Sequence, residues 1–409
     1  MSPERKLIAR SGKPSFISLF SGCGGLDLGF IEAGFEPIAA YDIWPLAVAN
    51  YKNNLGNHIL EYDLSQAKIP YDGECDVVLA GSPCQGFSTV GKRRIDDPRN
   101  HLLHAAVKIA IRANPQVIIF ENVPGILQGA HKEHWDLACN EIEKSGYKTL
   151  CQTIDARDIG IPQTRKRVIL IAWKTGLTVL PAIKHRDRKT LKDVIFNACS
   201  AKNHEPRILA DETPDYIISK RIKPGQKLCN VRGAESSVHT WSIPEVFGET
   251  TEKEQEVLIA IMKLRRRKRA RDHGDADPVS LASIQEHLNR RVLRDTKSLL
   301  KKGYLKRVED DVDLRHTFNG KYRRACLDGS SFTVDSRFGD PKCFLHPTKP
   351  RGFSVREAAR IQGFPDSYVF EGSIDDQFKL VANAVPPQMG LAIGEMVKNA
   401  FKMGQAHDE

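Results

Sequence analysis

The stretch Phe16 to Ala33 constrains this chain more than any other. Phe16-Ile17-Ser18-Leu19-Phe20 reads as a short buried strand, Ser21-Gly22-Cys23-Gly24-Gly25 as a glycine-rich turn, and Leu26 to Ala33 as a helix. Strand, glycine turn and helix in that order form the first unit of a doubly wound α/β sheet. Gly22, Gly24 and Gly25 let a ligand approach the backbone near the positive end of the helix. A plain tight turn would use the same glycines, so the acids further along the chain decide between the two.

Pro37 to Tyr41 reads as a second strand ending in Asp42, a position from which a carboxylate can accept ribose hydroxyls. Ile43 follows it. Tyr62-Asp63-Leu64 offers a second acid beside an apolar residue, suited to an adenine amino group. Each acid alone is an ordinary cap or turn former, but their succession after the glycine loop points to an adenosine-type ligand. Asp76 to Ala80 then leads into Gly81-Ser82-Pro83-Cys84-Gln85-Gly86-Phe87-Ser88, which presents one thiol at the carboxyl end of a buried strand. Another apolar strand, Gln116 to Phe120, ends in Glu121-Asn122-Val123. A thiol and a carboxylic acid delivered to one sheet edge make a usable nucleophile and acid. Gln163-Thr164-Arg165-Lys166-Arg167 precedes a last strand, Val168 to Trp173, and its arginines suit a phosphate or a base edge.

At 409 residues the chain is long enough for two or three domains, and its formal charge of +10 suggests a polyanionic partner, nucleic acid first. Nine cysteines are scattered without a Cys-x-x-Cys pair, which argues against a zinc site and a disulfide framework and fits a reducing compartment. No apolar stretch is long enough to span a bilayer, and Met1 to Pro14 has no apolar core, so a cytoplasmic protein is expected.

Between Leu177 and Pro350 no catalytic pattern occurs. Thr251 to Arg324 carries its own pattern: helices over Lys253–Lys268, Ser280–Leu288 and Arg291–Lys302, then strands over Tyr304–Val308 and Thr317–Arg323 around the acidic turn Glu309-Asp310-Asp311. Three helices and a hairpin resemble a winged-helix module. Its third helix would carry Arg290, Arg291, Arg294 and Lys297 into the major groove. The basic run Arg265 to Arg271 reads as a phosphate-contacting or solvated surface.

The set Phe-x-x-Leu-Phe-Ser-Gly-x-Gly-Gly, Pro-Cys-Gln, Glu-Asn-Val and Gln-x-Arg-x-Arg, in that order, resembles the DNA (cytosine-5)-methyltransferase family. Arg351-Gly352-Phe353-Ser354 through Gln362-Gly363-Phe364-Pro365 and Ala382-Asn383-Ala384-Val385-Pro386-Pro387 resemble the last two motifs of that family. The resemblance implies a Rossmann-like, S-adenosylmethionine-dependent methyltransferase domain, with residues 15–176 and 351–403 as its two parts. Residues 177–350 would form a smaller target-recognition domain, with a winged-helix-like insert at 251–324. It implies Cys84 as nucleophile, Glu121 as the acid that grips the cytosine ring, and Arg165 and Arg167 as organisers of the flipped base and neighbouring phosphate. Phe20, Gly22, Gly24, Gly25, Asp42, Ile43, Asp63, Leu64, Pro83, Leu102, Asn383 and Val385 fall on cofactor-pocket positions, and Ser88 on the DNA side. The sequence departs from the pattern at Asp42, Ile43 and Ala382-Asn383-Ala384. The expectation is a monomeric enzyme acting on double-stranded DNA without a metal, either beside a restriction endonuclease for the same site or alone. A transfer-RNA methyltransferase using the same catalytic half, and a non-catalytic DNA-binding regulator, are the alternatives.

Overall fold

The computed structural model describes residues 12–83, 100–129, 131–174, 177, 182–267 and 276–405. Two compact units divide the chain. One comprises Met1–His204, Asp328–Ser336 and Val355–Glu409, the other Glu205–Leu327 and Arg337–Ser354.

The first unit is built on a seven-stranded sheet: β1 (Ser15–Leu19), β2 (Glu36–Asp42), β3 (Ile59–Glu61), β4 (Val77–Ala80), β5 (Val117–Asn122), β6 (Tyr147–Asp155) and β7 (Lys166–Lys174). Their order is β3-β2-β1-β4-β5-β7-β6, parallel except where β7 pairs antiparallel with β5 and β6. The helices α1 (Gly25–Glu32), α2 (Pro45–Leu55), α3 (Asn100–Ala113) and α4 (His131–Lys144) connect the strands. The central strands are apolar on both faces because both are covered. Ile17, Leu19, Val78, Ala80, Ile118 and Phe120 join one core cluster, and Phe16, Val77, Leu79, Val117 and Ile119 the other. Two strands run further than the sequence suggests. Glu121 and Asn122 lie within β5 and Arg167 within β7, paired across the antiparallel ladder as Glu121 with Ile169 and Asn122 with Val168.

α1 packs backbone to backbone against the C-terminal helix Pro387–Gln405. A Cβ on Gly29 would stand 2.2 Å from the Pro387 carbonyl, and one on Gly25 would stand 2.2 Å from that of Val385. Only glycine admits so close an approach, and it draws the chain following Asn383 onto the N-terminus of α1.

In the second unit, Lys227–Cys229 pairs with Ser237–Val238 and with Asn319–Lys321. The insert folds as helices Glu252–Leu264, Leu281–Leu288 and Leu293–Lys301, with a hairpin of Leu305–Val308 and Asp311–Leu314 to which Val279 adds a bridge at Val312. Thr251 and Glu254 form a reciprocal capping box at its start. Three expectations are corrected here. The hairpin's second strand is Asp311–Leu314, not Thr317–Arg323, whose middle belongs to the other small sheet. Val312 and Leu314 face the insert's core, while Asp313 is neutralised by Arg265, which lies 3.1 Å away and is buried. Arg265 is thus a core ion-pair partner and no part of a phosphate surface. The third helix begins at Leu293, because Asn289 turns left-handed at φ 48 and ends the preceding helix. Arg290 and Arg291 precede it.

Candidate active site

The strand order reverses between β1 and β4, and there the carboxyl ends of the strands open into a cavity of about 300 Å³. Phe20, Ser21 and Gly22 after β1, Asp42 and Ile43 at β2, Gly81 to Pro83 after β4, and Glu121 and Val123 at β5 line it. Leu380 and Ala382 to Val385 close another side, and Arg165 and Arg167 of the β7 region contribute as well.

The glycine loop leaves β1 through left-handed backbone at Phe20, Gly22 and Gly24, with φ 55, 56 and 83. Asp42 fixes it: one carboxylate oxygen accepts the Gly22 amide at 2.8 Å, the other the Trp44 amide at 2.8 Å. Burial pushes the Asp42 carboxyl above its ordinary range, and these backbone donors pull it back. Ile43 beside it is 63% exposed, an uncovered apolar face at the cavity edge. Trp44 also lines the cavity, which the sequence reading missed although it stands next in line.

Glu121 is nearly buried, and its carboxylate meets the Arg167 guanidinium at 2.7 Å. Asn122, fully buried, donates through its side-chain amide to the Ser82 hydroxyl at 3.1 Å. It therefore anchors the segment that leads through Pro83 toward Cys84. Cys84 and Ser88 themselves lie outside the described residues.

Arg165 behaves differently from its expected role. It is 3% exposed and donates to the carbonyls of Ala382 and Ala384, each at 3.1 Å. The Gln362 amide donates to the same Ala384 carbonyl at 2.7 Å, while its own oxygen accepts from Gln163 at 2.7 Å. Arg165, Gln163 and Gln362 thus form a buried clamp on the turn that presents Asn383 and Val385 to the cavity. Only Arg167 of the two arginines reaches Glu121. Of the remaining expected cofactor positions, Asp63 is exposed and caps the turn Leu64–Gln66 through Ser65, Leu64 sits in the core, and Leu102 lies on α3. Among the described residues these three, and Gly24 and Gly25 of the glycine loop, are not on the cavity wall.

In the insert, Arg290 is spent internally: it pairs with Asp295 at 2.6 Å and Glu256 at 2.9 Å and donates to the Lys253 carbonyl at 2.8 Å. Arg291, Arg294 and Lys297 are exposed, and so is Lys301 one turn on. Among the described residues no cluster of acids, histidines and cysteines could hold a metal, and no helix is long and apolar enough to cross a membrane.

Comparison with known proteins gives this geometry a context. The type II methyltransferase M.AgeI of Thalassovita gelatinovora is 30% identical, over 94% of this chain and 99% of its own length. M.XorII of Xanthomonas oryzae, also a type II methyltransferase, is 28% identical over 95% of this chain and 86% of its own. In shape, the crystal structure of a candidate DNA modification methyltransferase from an E. coli prophage matches with a TM-score of 0.58. That match has 22% identity and covers 95% of this chain and 100% of that one. A model of the family described as C-5 cytosine-specific DNA methylase matches residues 14–399, a span that holds every strand of the large sheet and the whole cavity wall. The chain belongs to the C-5 cytosine-specific DNA methylases.

Proposed function

We propose that this DNA cytosine-5 methyltransferase takes its methyl group from S-adenosylmethionine and works through a covalent adduct between Cys84 and carbon 6 of a flipped-out cytosine. The observation that carries the reading is the cavity at the strand-order reversal, where the glycine loop, Asp42 and the Glu121–Arg167 pair share one wall. The residues present suit the donor. Asp42 sits where ribose hydroxyls would lie, Ile43 and Trp44 offer apolar surface to adenine, and a cavity of about 300 Å³ is of ligand size. Bound there, the donor supplies an electrophilic methyl group on a sulfonium.

Carbon 5 of cytosine is a poor nucleophile until a thiolate adds at carbon 6 and makes the ring an enamine. Cys84 performs that addition. Glu121 hydrogen-bonds ring nitrogen 3 as charge develops there, and Arg167 holds the Glu121 carboxyl in place. Asn122 positions the segment before Cys84 by its bond to Ser82. Once carbon 5 has attacked and taken the methyl group, loss of its proton to a base expels the Cys84 thiolate and leaves 5-methylcytosine. Flipping costs a few kcal/mol, to be recovered from protein contacts with the duplex.

The duplex is read, in this proposal, by the second unit, with Arg291, Arg294 and Lys297 of the insert on the groove side. The relatives' names support a modification enzyme paired with a restriction endonuclease. The deciding experiment is bisulfite sequencing of DNA from cells expressing the protein, beside the same cells expressing Cys84→Ser or Glu121→Gln. Wild type should methylate one sequence context, Cys84→Ser none, and Glu121→Gln should lose about a hundredfold in single-turnover rate with DNA affinity kept. Methylation by Cys84→Ser, or a fluorocytosine adduct on another cysteine, would reject the covalent scheme.

A further inference from the structure

One buried acid of the first unit takes no part in that scheme. Asp27, in the first turn of α1, is fully buried yet contributes to the cavity wall beside Ser18, Gly22 and Leu26. Its two oxygens accept hydroxyl protons, from Ser18 at 2.7 Å and from Tyr51 at 2.7 Å, and the Tyr51 hydroxyl lies 2.8 Å from His58 Nε2. Hydroxyls satisfy a carboxylate's lone pairs without cancelling its charge.

The other groups around it leave that charge standing. Asp42 on β2 has the same sign. Burial keeps Cys23, Tyr51 and Tyr368 neutral, the Cys23 thiol being pushed up to about 12. His58, behind Tyr51, is lowered by burial and is neutral at physiological pH. Among the described residues, the two cations on the cavity wall are engaged elsewhere, Arg165 with the carbonyls of Ala382 and Ala384 and Arg167 with Glu121.

We propose that Asp27 sets the donor specificity of this pocket, its buried carboxylate holding a cationic sulfonium in preference to the neutral thioether left after methyl transfer. The inference rests on the S-adenosylmethionine reading. Donor and product share the adenosine and the amino-acid group, so every contact to those parts, Asp42 included, cancels from the ratio of their affinities. What remains is the sulfonium charge, acting through a medium of low effective dielectric. Asp27 also complements the positive end of α1, but loss of that role would weaken both ligands alike.

The sign of the pH dependence follows from burial, which raises the Asp27 carboxyl to about 6 while Ser18 and Tyr51 hold it down. The preference is therefore present above about pH 6 and lost as the carboxylate takes up a proton below it. By reciprocity, a tenfold preference for the donor depresses the Asp27 pKa by about one unit, so donor binding near pH 6 releases protons and product binding does not.

The test is calorimetry on the full-length protein with S-adenosylmethionine and S-adenosylhomocysteine, from pH 5.5 to 8 and in buffers of different ionisation enthalpy. Wild type should lose about threefold in donor affinity relative to product between pH 8 and pH 5.5, on the way to about tenfold at lower pH, with proton release confined to the donor. Asp27→Asn should show the collapsed ratio at every pH. Tyr51→Phe keeps the charge but removes one donor to it, so its midpoint should move upward. If Asp27→Asn does not fold, the wild-type profile and Tyr51→Phe decide. A ratio that ignores pH, or a Tyr51→Phe midpoint that does not move, overturns the role of Asp27. Failure of wild type to bind either compound at pH 8 overturns the cofactor reading beneath it.

Discussion

Replacing Arg165 by Met keeps an unbranched, flexible apolar stem and removes the charge and the fork, which separates a clamp from a DNA contact. The guanidinium reaches two backbone carbonyls at 3.1 Å. A hydrogen bond from a charged donor contributes about 1.5–3 kcal/mol. The two carbonyls do not lose equally. Ala384 keeps its bond from Gln362 at 2.7 Å, whereas the bond to Ala382 has no such second donor from that amide. The expected cost is therefore about 3 kcal/mol, nearer one and a half bonds than two. For a unit of this size each kcal/mol moves the melting midpoint by about 2–4 °C, so differential scanning calorimetry should show a fall of about 6–12 °C. Part of the loss falls on the turn bearing Asn383 and Val385, and donor affinity should weaken about fivefold, equivalent to about 1 kcal/mol. DNA affinity without donor should stay at the wild-type value. A variant with full thermal stability and donor affinity but impaired DNA binding would refute the clamp and return Arg165 to the substrate.

Two further substitutions test packing and charge. Gly29→Ala would be stabilising by helix propensity alone, by about 1 kcal/mol, but its Cβ would stand 2.2 Å from the Pro387 carbonyl and 2.3 Å from the Leu391 amide. Overpacking should win and destabilise the protein by about 2–3 kcal/mol in thermal or urea unfolding, and a raised midpoint would disprove the close helix contact. Arg290→Ala should lower the insert's stability by removing pairs to Glu256 and Asp295, with DNA sequence preference intact. Arg294→Ala should leave unfolding unchanged and cost ~1–3 kcal/mol at the cognate DNA site, read by competition binding, and the opposite pattern would exchange their roles.

The Rossmann-like half was legible because its signals are local. Apolar runs of four to six residues punctuated by Gly, Pro and acids can be little other than covered strands, and β1, β2, β4, β5 and β7 lie where such runs stand. Strand ends were less legible. Glu121, Asn122 and Arg167 look like loop residues by polarity, but they continue their strands because β5 pairs with β7, and β7 with β6, past the apolar runs. The insert's hairpin failed for a sharper reason. Asp311 and Asp313 resemble turn formers, and what keeps Asp313 in a buried strand is Arg265, 48 residues earlier. No window of sequence contains that pair.

The same blindness to distant partners explains which arginines were misplaced. Arg165, Arg265 and Arg290 all stand in basic, motif-like surroundings, and each is committed inside its own unit: to carbonyls, to Asp313, and to Glu256 with Asp295. A formal charge of +10 therefore overstates what these positions offer a phosphate backbone. Among the described residues of the insert, exposed charge outside those internal pairs includes the face of Leu293–Lys301, where Arg294, Lys297 and Lys301 recur at helical spacing with Arg291 just before them. Leu293, 49% exposed at the head of that helix, adds an apolar side chain to this face. Beside Arg294 it suits a groove, where an apolar side chain can meet a thymine methyl group while its neighbours take the base edges.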